Sequence, residues 1–350
     1  MNNKILLSRA ECSALRGIAI IGIVLHNYCH WLDPIVKENE YTWSRYNVDW
    51  FNQVTKNPDW NLPVHLLSFF GHYGVPVFFF LSAYGLILKY ENGDETRHAQ
   101  PLRFIRYHYL KLFKMMIVGF VAFTMIDAIT PGSFTYDVMG IISQLLMFNN
   151  MLPNPDKVIW PGPYWFFGVM LQLYIVYRLL LYRRHWIYIV GMIVVCWLMQ
   201  VFCYPESETL NRIRYNFMGG ILPFGAGLLY ARYAKVLTRP VYAVITMLSA
   251  AFVYWFSYNY MLWFWVPLFA CTFCIGLVKI FPLSRLSSLE WLGSLSAALF
   301  VCHPITRKIF IPISRRGDIY TGLLLYIIAS IAIAWLFREL LRRIPTPKMK

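Results

Sequence analysis

The chain has 350 residues, 58% of them hydrophobic and 14% charged, with a mean hydropathy of +0.49. Soluble domains carry about 25% charged residues, so the composition excludes an ordinary soluble domain and describes an all-α, polytopic integral membrane protein. A net charge of +15 does not argue for nucleic acid, because the Lys and Arg fall in short clusters between apolar runs, the pattern that sets membrane orientation. Such clusters also attract anionic lipid headgroups or a phosphorylated cofactor.

In chain order, Met1 to Ser13 is short and basic (Lys4, Arg9), with Glu11 its one acid. The first span runs from about Ala14 to Trp31. No small-residue cleavage site follows it, so it is expected to remain as a span and not to leave as a signal peptide. Residues 32–64 are polar and aromatic with three prolines, an extramembrane loop of a length that tends to be functional. The second span covers about Leu66 to Tyr90, and a basic stretch follows (Lys89, Arg97, Arg103, Arg106, Lys111, Lys114). The third covers about Leu112 to Ile129. Residues 137–151 are apolar but too short to cross comfortably, which predicts a half-helix or interfacial helix.

A Pro- and Asn-rich loop leads to a fourth span (about Tyr164 to Tyr182), a fifth (Trp186 to Tyr204) and a sixth (Asn216 to Tyr233). Glycines at 219, 220, 225 and 227 permit close helix packing in the sixth. The seventh to tenth spans cover about Val241 to Tyr258, Met261 to Phe281, Leu289 to Ile309 and Ile319 to Phe337, and a basic tail runs to Lys350. Ten spans put the clusters at the N-terminus, 89–114, 183–184, 232–239, 285 and 338–350 on one side, which places both termini in the cytoplasm. Arg307, Lys308, Arg315 and Arg316 fall on the other side and count against the rule. There is no fixed-period repeat, and the whole of 1–350 reads as one transmembrane domain with no appended soluble domain.

Seven cysteines (Cys12, Cys29, Cys196, Cys203, Cys271, Cys274, Cys302) lie mostly inside apolar runs, and an odd, scattered set is not a disulfide framework. Cys271-Thr-Phe-Cys274 has CxxC spacing in a hydrophobic segment without a second ligand pair. Buried thiols packing as small apolar groups account for it, and no metal is expected.

The stretch Arg16 to His26 carries the strongest chemical signal. Nine uncharged, mostly aliphatic residues separate an arginine from a histidine, about 15 Å along a helix axis. That is about half the hydrocarbon thickness, which sets Arg16 at a water boundary and His26 near the bilayer middle. An ionisable group there is a functional-site candidate. The plain alternative is a histidine that hydrogen-bonds a neighbouring helix.

Four motifs in order resemble the membrane acyltransferase family 3, polytopic enzymes that acylate sugars and other acceptors. Leu15-Arg16-Gly17-Ile18-Ala19 with His26 is similar to its opening Arg-x10-His motif. Val77 to Tyr84 (Val-Phe-Phe-Phe-Leu-Ser-Ala-Tyr) is similar to its Phe-rich second span. Trp165 through Gln172-Leu173-Tyr174 is similar to its aromatic-Gln-Tyr motif. Leu292-Gly293-Ser294-Leu295-Ser296, followed by Cys302-His303-Pro304, is similar to its closing Gly-x-x-Ser and His-Pro element. Ser13 stands where the family often has an Asp, and Met170-Leu171 replace acidic residues before the glutamine. The family's Arg-x-x-Arg pair before the third span corresponds either to Arg103 and Arg106 or to His108 and Lys111.

The resemblance implies an O-acyltransferase with a cytosolic acyl-CoA donor, most often acetyl-CoA, and an acceptor hydroxyl on a glycan, glycolipid or related molecule. It also implies a seat in the bacterial cytoplasmic (inner) membrane. Coenzyme A needs cations for its phosphates, and Arg16, Arg103, Arg106 and Lys111 are expected at the cytoplasmic face. A neutral His26 would act as general base, with an acyl-histidine intermediate as the other possibility. His303 would orient His26, bind the acceptor or cap its helix. His30, Gln172, Tyr174 and Trp165 are candidate acceptor contacts, and the outer aromatics Trp31, Trp160 and Tyr164 suit either sugar stacking or a membrane-interface belt. The expected partners are the acceptor and membrane lipid, not nucleic acid. A secondary transporter of an anionic or sugar substrate is the alternative, although transporters commonly carry internal repeats.

Overall fold

The computed structural model describes residues 6–92, 100–282 and 286–349, and every regular element among them is helical. The long helices begin with α1 (Arg9–Cys29), and a short α2 (Arg45–Lys56) follows in the loop. A continuous run, Leu62–Glu91, then joins α3 (Leu62–Phe70), a 3-10 turn (Gly71–Tyr73), α4 (Gly74–Leu86) and a π-helical end (Ile87–Glu91). Next come α5 (Pro101–Ile129), the eight-residue α6 (Val138–Leu145), α7 (Pro155–Val158) and α8 (Trp165–Val176). The second half holds α9 (Trp186–Val201), α10 (Glu208–Arg214), α11 (Phe217–Tyr233), α12 (Arg239–Phe256), α13 (Tyr260–Trp263), α14 (Val266–Ile280), α15 (Ser287–Arg315) and α16 (Ile319–Arg343).

Six of these helical runs, not ten, are long and apolar enough to cross a membrane: Arg9–Cys29, Leu62–Glu91, Pro101–Ile129, Gly162–Leu181, Arg239–Phe256 and Ile319–Arg343. The four other expected spans fall short for different reasons. α9 has 16 residues and α14 has 15, against about 20 for a full crossing. α11 has 17 residues, with a proline and four glycines inside. α15 is 29 residues long but carries Arg307 and Lys308 among its apolar turns. The alternation of basic clusters that rested on ten crossings therefore loses its count. Lys4, Arg97, Arg285 and Lys350 lie outside the described residues.

α1 starts five residues earlier than its apolar run because Ser8 and Glu11 form a capping box. The Ser8 hydroxyl accepts from the Glu11 N–H at 3.2 Å, and Glu11 Oε2 accepts from the Ser8 N–H at 2.7 Å. With the helix running Arg9–Cys29, His26 falls in its last turn and not at its midpoint, which corrects the expected depth. α1 is the central strut. It packs along α15 at backbone distance through Gly17, which faces the Leu289 backbone, and Gly293, which faces the Ser13 backbone. A Cβ at either glycine would collide with a main chain, so the glycines of the opening and closing motifs meet across one helix pair.

One end of the bundle gathers Lys279 with Glu11 at 2.7 Å, Arg232 with Glu91 at 2.7 Å and the Lys114 ammonium on the Ile344 carbonyl at 2.6 Å. The other end is covered by the loop after α1, by α2 and by α10, with Arg214 Nε donating to the Glu40 carbonyl at 2.6 Å.

Candidate active site at the end of α1

The chain leaving α1 folds back over the helix end. The Lys37 ammonium donates to the carbonyls of His30 (2.7 Å) and Leu32 (2.8 Å). The Val36 N–H donates to His65 Nδ1 at 3.1 Å, and the Ser68 hydroxyl donates to the Val36 carbonyl. Ile35 and Val36 are fully buried, so this loop is anchored by apolar packing as well as by polar contacts. Beyond it, Trp263 Nε1–H donates to the Asn39 carbonyl at 2.9 Å. Held from both sides, the loop brings a carboxylate oxygen of Glu38 and one of Glu40 each to 3.9 Å from His26 Nε2.

His26 is buried and its Nδ1 lies 2.8 Å from the Ser68 carbonyl oxygen. A carbonyl only accepts, so Nδ1 carries the proton and the neutral ring keeps its lone pair on Nε2. Gly71 makes this contact reachable. A Cβ there would fall 2.7 Å from His26 Cβ and 2.6 Å from the Gly22 carbonyl oxygen, so only glycine lets the turn before α4 lie against α1.

Nε2 opens on a cavity of about 260 Å³ whose walls include His30, His72, Trp31, Trp160, Trp165, Tyr41 and Tyr215. His30 Nδ1 is 3.0 Å from Glu38 Oε1, and the His26 and His30 rings are 4.7 Å apart. Tyr41 stacks on Tyr215 at 3.8 Å and meets Trp165 edge-on at 5.4 Å, forming an aromatic wall. Several buried polar atoms here have no hydrogen-bond partner among the described residues: His30 Nε2, Glu38 Oε2 and both ring nitrogens of His72. Such atoms are costly unless something binds them.

The two loop carboxyls differ in charge. Burial works to raise the Glu38 pKa, but His30 and His26, with the His30 hydrogen bond, outweigh it and hold the group below the usual carboxylate range. Glu40 is pushed up to about 8 by burial and then by the Glu38 charge, with Tyr41 and Arg214 opposing. At neutral pH the pair is therefore one carboxylate and one carboxylic acid, as expected of two acids sharing a site. Arg214 is drawn down by burial to about 10, so it stays charged at neutral pH, stacked over Trp263 at 4.0 Å.

The expected site residues separate into groups. His26, His30 and Trp165 line the cavity. His303 is fully buried in α15 with Nδ1 on the Leu299 carbonyl at 3.0 Å and Nε2 unpartnered among the described residues; it stands behind Phe300, whose ring is 6.0 Å away and does line the cavity. Gln172 ties α8 to α11, donating to Asn216 Oδ1 at 2.9 Å and accepting from the Phe217 N–H at 2.8 Å. Tyr174 is 2.9 Å from the Ser82 hydroxyl and packs its ring on His108 at 4.2 Å. Arg16, Arg103, Arg106 and Lys111 are exposed. His108 is buried and 3.0 Å from the Tyr90 hydroxyl, so between the two possible basic pairs it is Arg103 and Arg106 that both present cations to solvent.

Sequence reasoning missed Glu38, Glu40, Tyr41 and Arg307 as cavity residues. The available signal was that Glu38 and Glu40 are acids two apart in a polar and aromatic loop of an acid-poor chain. His26, His30 and Glu38 also offer donor atoms within 4.8 Å of one another, a composition that can hold a divalent metal. The direct His30–Glu38 hydrogen bond already engages two of those groups.

A family model described as an acyltransferase domain (acyltransferase 3) matches residues 10–339. The chain belongs to this family, and it is a multi-pass membrane acyltransferase. No curated protein and no solved structure matches it.

Proposed function

We propose that the protein is an O-acyltransferase that moves an acetyl group from cytosolic acetyl-CoA to a hydroxyl of a glycan or glycolipid in the bacterial cytoplasmic membrane. One observation carries this proposal: His26 is held by Nδ1 on the Ser68 carbonyl, so that its basic Nε2 opens on an aromatic-walled cavity beside two loop carboxyls.

In this mechanism the acceptor O–H gives its proton to His26 Nε2 as its oxygen attacks the thioester carbonyl carbon. When the C–S bond breaks, the imidazolium returns that proton to the departing thiolate. The Glu38 carboxylate stabilises the imidazolium between the two steps. At 3.9 Å and an effective dielectric of about 20, the attraction is on the order of 4 kcal/mol. Trp165 and its aromatic neighbours hold the sugar face, and His30 fixes Glu38. His303 backs the cavity wall as a positioning residue. Arg16, with Arg103, Arg106 and Lys111, takes the phosphates of CoA.

The test is CoA release from acetyl-CoA by purified protein in detergent, with and without a membrane glycan extract. His26→Ala should lower release by about 100- to 10,000-fold while the protein keeps its elution volume and melting temperature. Release that persists in a folded His26→Ala protein overturns the assignment.

A further inference from the structure

Arg307 is a cation that membrane orientation does not account for. It lies in the interior of α15 at 6% exposure. Its neighbour Lys308 is neutralised by Asp127 and also donates to the Gly132 carbonyl at 2.8 Å. Arg307, in contrast, has no carboxylate within ion-pair distance among the described residues. Its Nη1 donates to the Asn27 carbonyl at 3.2 Å, and its guanidinium lies over the Trp31 ring at 5.0 Å. A buried, unpaired charge in a membrane protein is expensive and marks a site.

That site is the His26 cavity, since Arg307, Asn27 and Trp31 all line it. A second cation stands at the same rim: Arg315, exposed, donates from Nη2 to the Trp31 carbonyl at 3.1 Å. None of the acids around the cavity is paired with Arg307 among the described residues. Glu38 is taken up by His30 and Asp156 is exposed. Glu40 has its carboxyl oxygen at His26 and its backbone carbonyl on Arg214.

Building on the transferase reading above, we infer that the cavity contains an anionic subsite, in which Arg307 receives a carboxylate or phosphate borne by the same saccharide that offers its hydroxyl to His26. The guanidinium fork suits either group bidentately. Asn27, which anchors Arg307, directly follows His26 in α1, so the anion and the reacting hydroxyl belong to one sugar or to adjacent ones. Trp31 and Trp160, whose rings meet edge-on at 6.3 Å, supply apolar surface for the sugar face beside the charge. The acceptor class is thus an acidic saccharide.

The experiment follows the fluorescence of the cavity tryptophans in the full-length protein during titration with glucuronic acid, glucose 1-phosphate and glucose, without acetyl-CoA. At low salt the wild type should bind at least one anionic sugar about tenfold or more tightly than glucose. The two anionic probes decide between carboxylate and phosphate. Arg307→Gln should abolish the preference, and Arg307→Lys, which keeps the charge but not the fork, should retain part of it. If Arg307→Gln does not fold, a reduced preference in Arg307→Lys carries the same information. Equal binding of charged and neutral sugars, failure of both anionic probes to bind, or a preference that survives a folded Arg307→Gln protein overturns the subsite. An Arg307-dependent preference in a protein that releases no CoA with any acceptor would leave the subsite standing and defeat the transferase reading alone.

Discussion

Glu40 and Glu38 stand two residues apart in one loop and face the same histidine, yet they hold different charges. The Glu40 carboxyl, raised to about 8 by burial and by the Glu38 carboxylate, remains protonated through neutral pH. Its folded value lies above its ordinary one, so the sign is fixed: the stability it confers is complete below about pH 4.5 and is lost as pH rises towards 8. Above pH 8 a second negative charge appears next to His26 and a proton donor disappears from the cavity. Glu40→Gln keeps the shape and the donor but cannot ionise. It should match wild-type transfer at pH 7, keep that rate at pH 9 where the wild type has fallen several-fold, and flatten the decline of melting temperature between pH 5 and 8. A glutamine variant with the wild-type profile at both readouts would remove Glu40 from the chemistry. Local sequence announces this pair only as two acids two apart in an acid-poor chain. Their neighbours are polar and aromatic without a period, and only the fold-back of the loop onto His65 and Ser68 places them over Nε2.

At the scale of the helix, α1 was legible almost residue by residue. Its apolar run lies between Arg16 and His26, and the capping pair Ser8 and Glu11 extends it only at the start. The count of spans was not legible in the same way. Hydropathy alone does not separate a helix of 15 or 16 residues such as α14 or α9 from one that crosses fully, because it reads how apolar a segment is and not where its helix begins and ends. The turn Gly71–Tyr73 shows what the site asks of an element. Gly71 touches α1 at the histidine itself, so a methyl group there must push the two segments apart. Gly71→Ala should cost about 1–3 kcal/mol of stability and should lower transfer more than tenfold by loosening the Ser68–His26 contact. Thermal melts together with CoA release measure both effects. An alanine variant that is equally stable and equally active would mean that the His26 geometry does not depend on this contact.

For the whole molecule, the proposed mechanism joins two ends. The cavity takes Ile23, His26 and Asn27 of α1 and His30 just beyond it, while Arg16 lies exposed seven residues before Ile23, about 10 Å along the axis. The donor would therefore be gripped by its phosphates at one end and react at the other, and its slender arm would bridge the distance. Spacing alone made the separation of Arg16 from His26 along one helix readable, and the resemblance supplied the roles proposed for them. The acceptor side was not readable, because its walls come from α1, the loop after it, the turn before α4 and the start of α4, the segment 156–163, α8, Tyr215 just after α10, and α15. Divided labour of this kind has a kinetic signature. Arg16→Gln, alone or with Arg103→Gln and Arg106→Gln, should raise KM for acetyl-CoA by about tenfold or more and flatten its dependence on ionic strength relative to wild type, while kcat at saturation stays near wild type. A short acetyl thioester without phosphates should be used poorly by the wild type, and equally poorly by these variants, since they lose only what the phosphates contribute. His26→Ala should fail with both donors. If the arginine variants instead lose kcat with both donors alike, Arg16 belongs to the architecture of α1 against α15 and not to the donor site, and the phosphates must be held elsewhere.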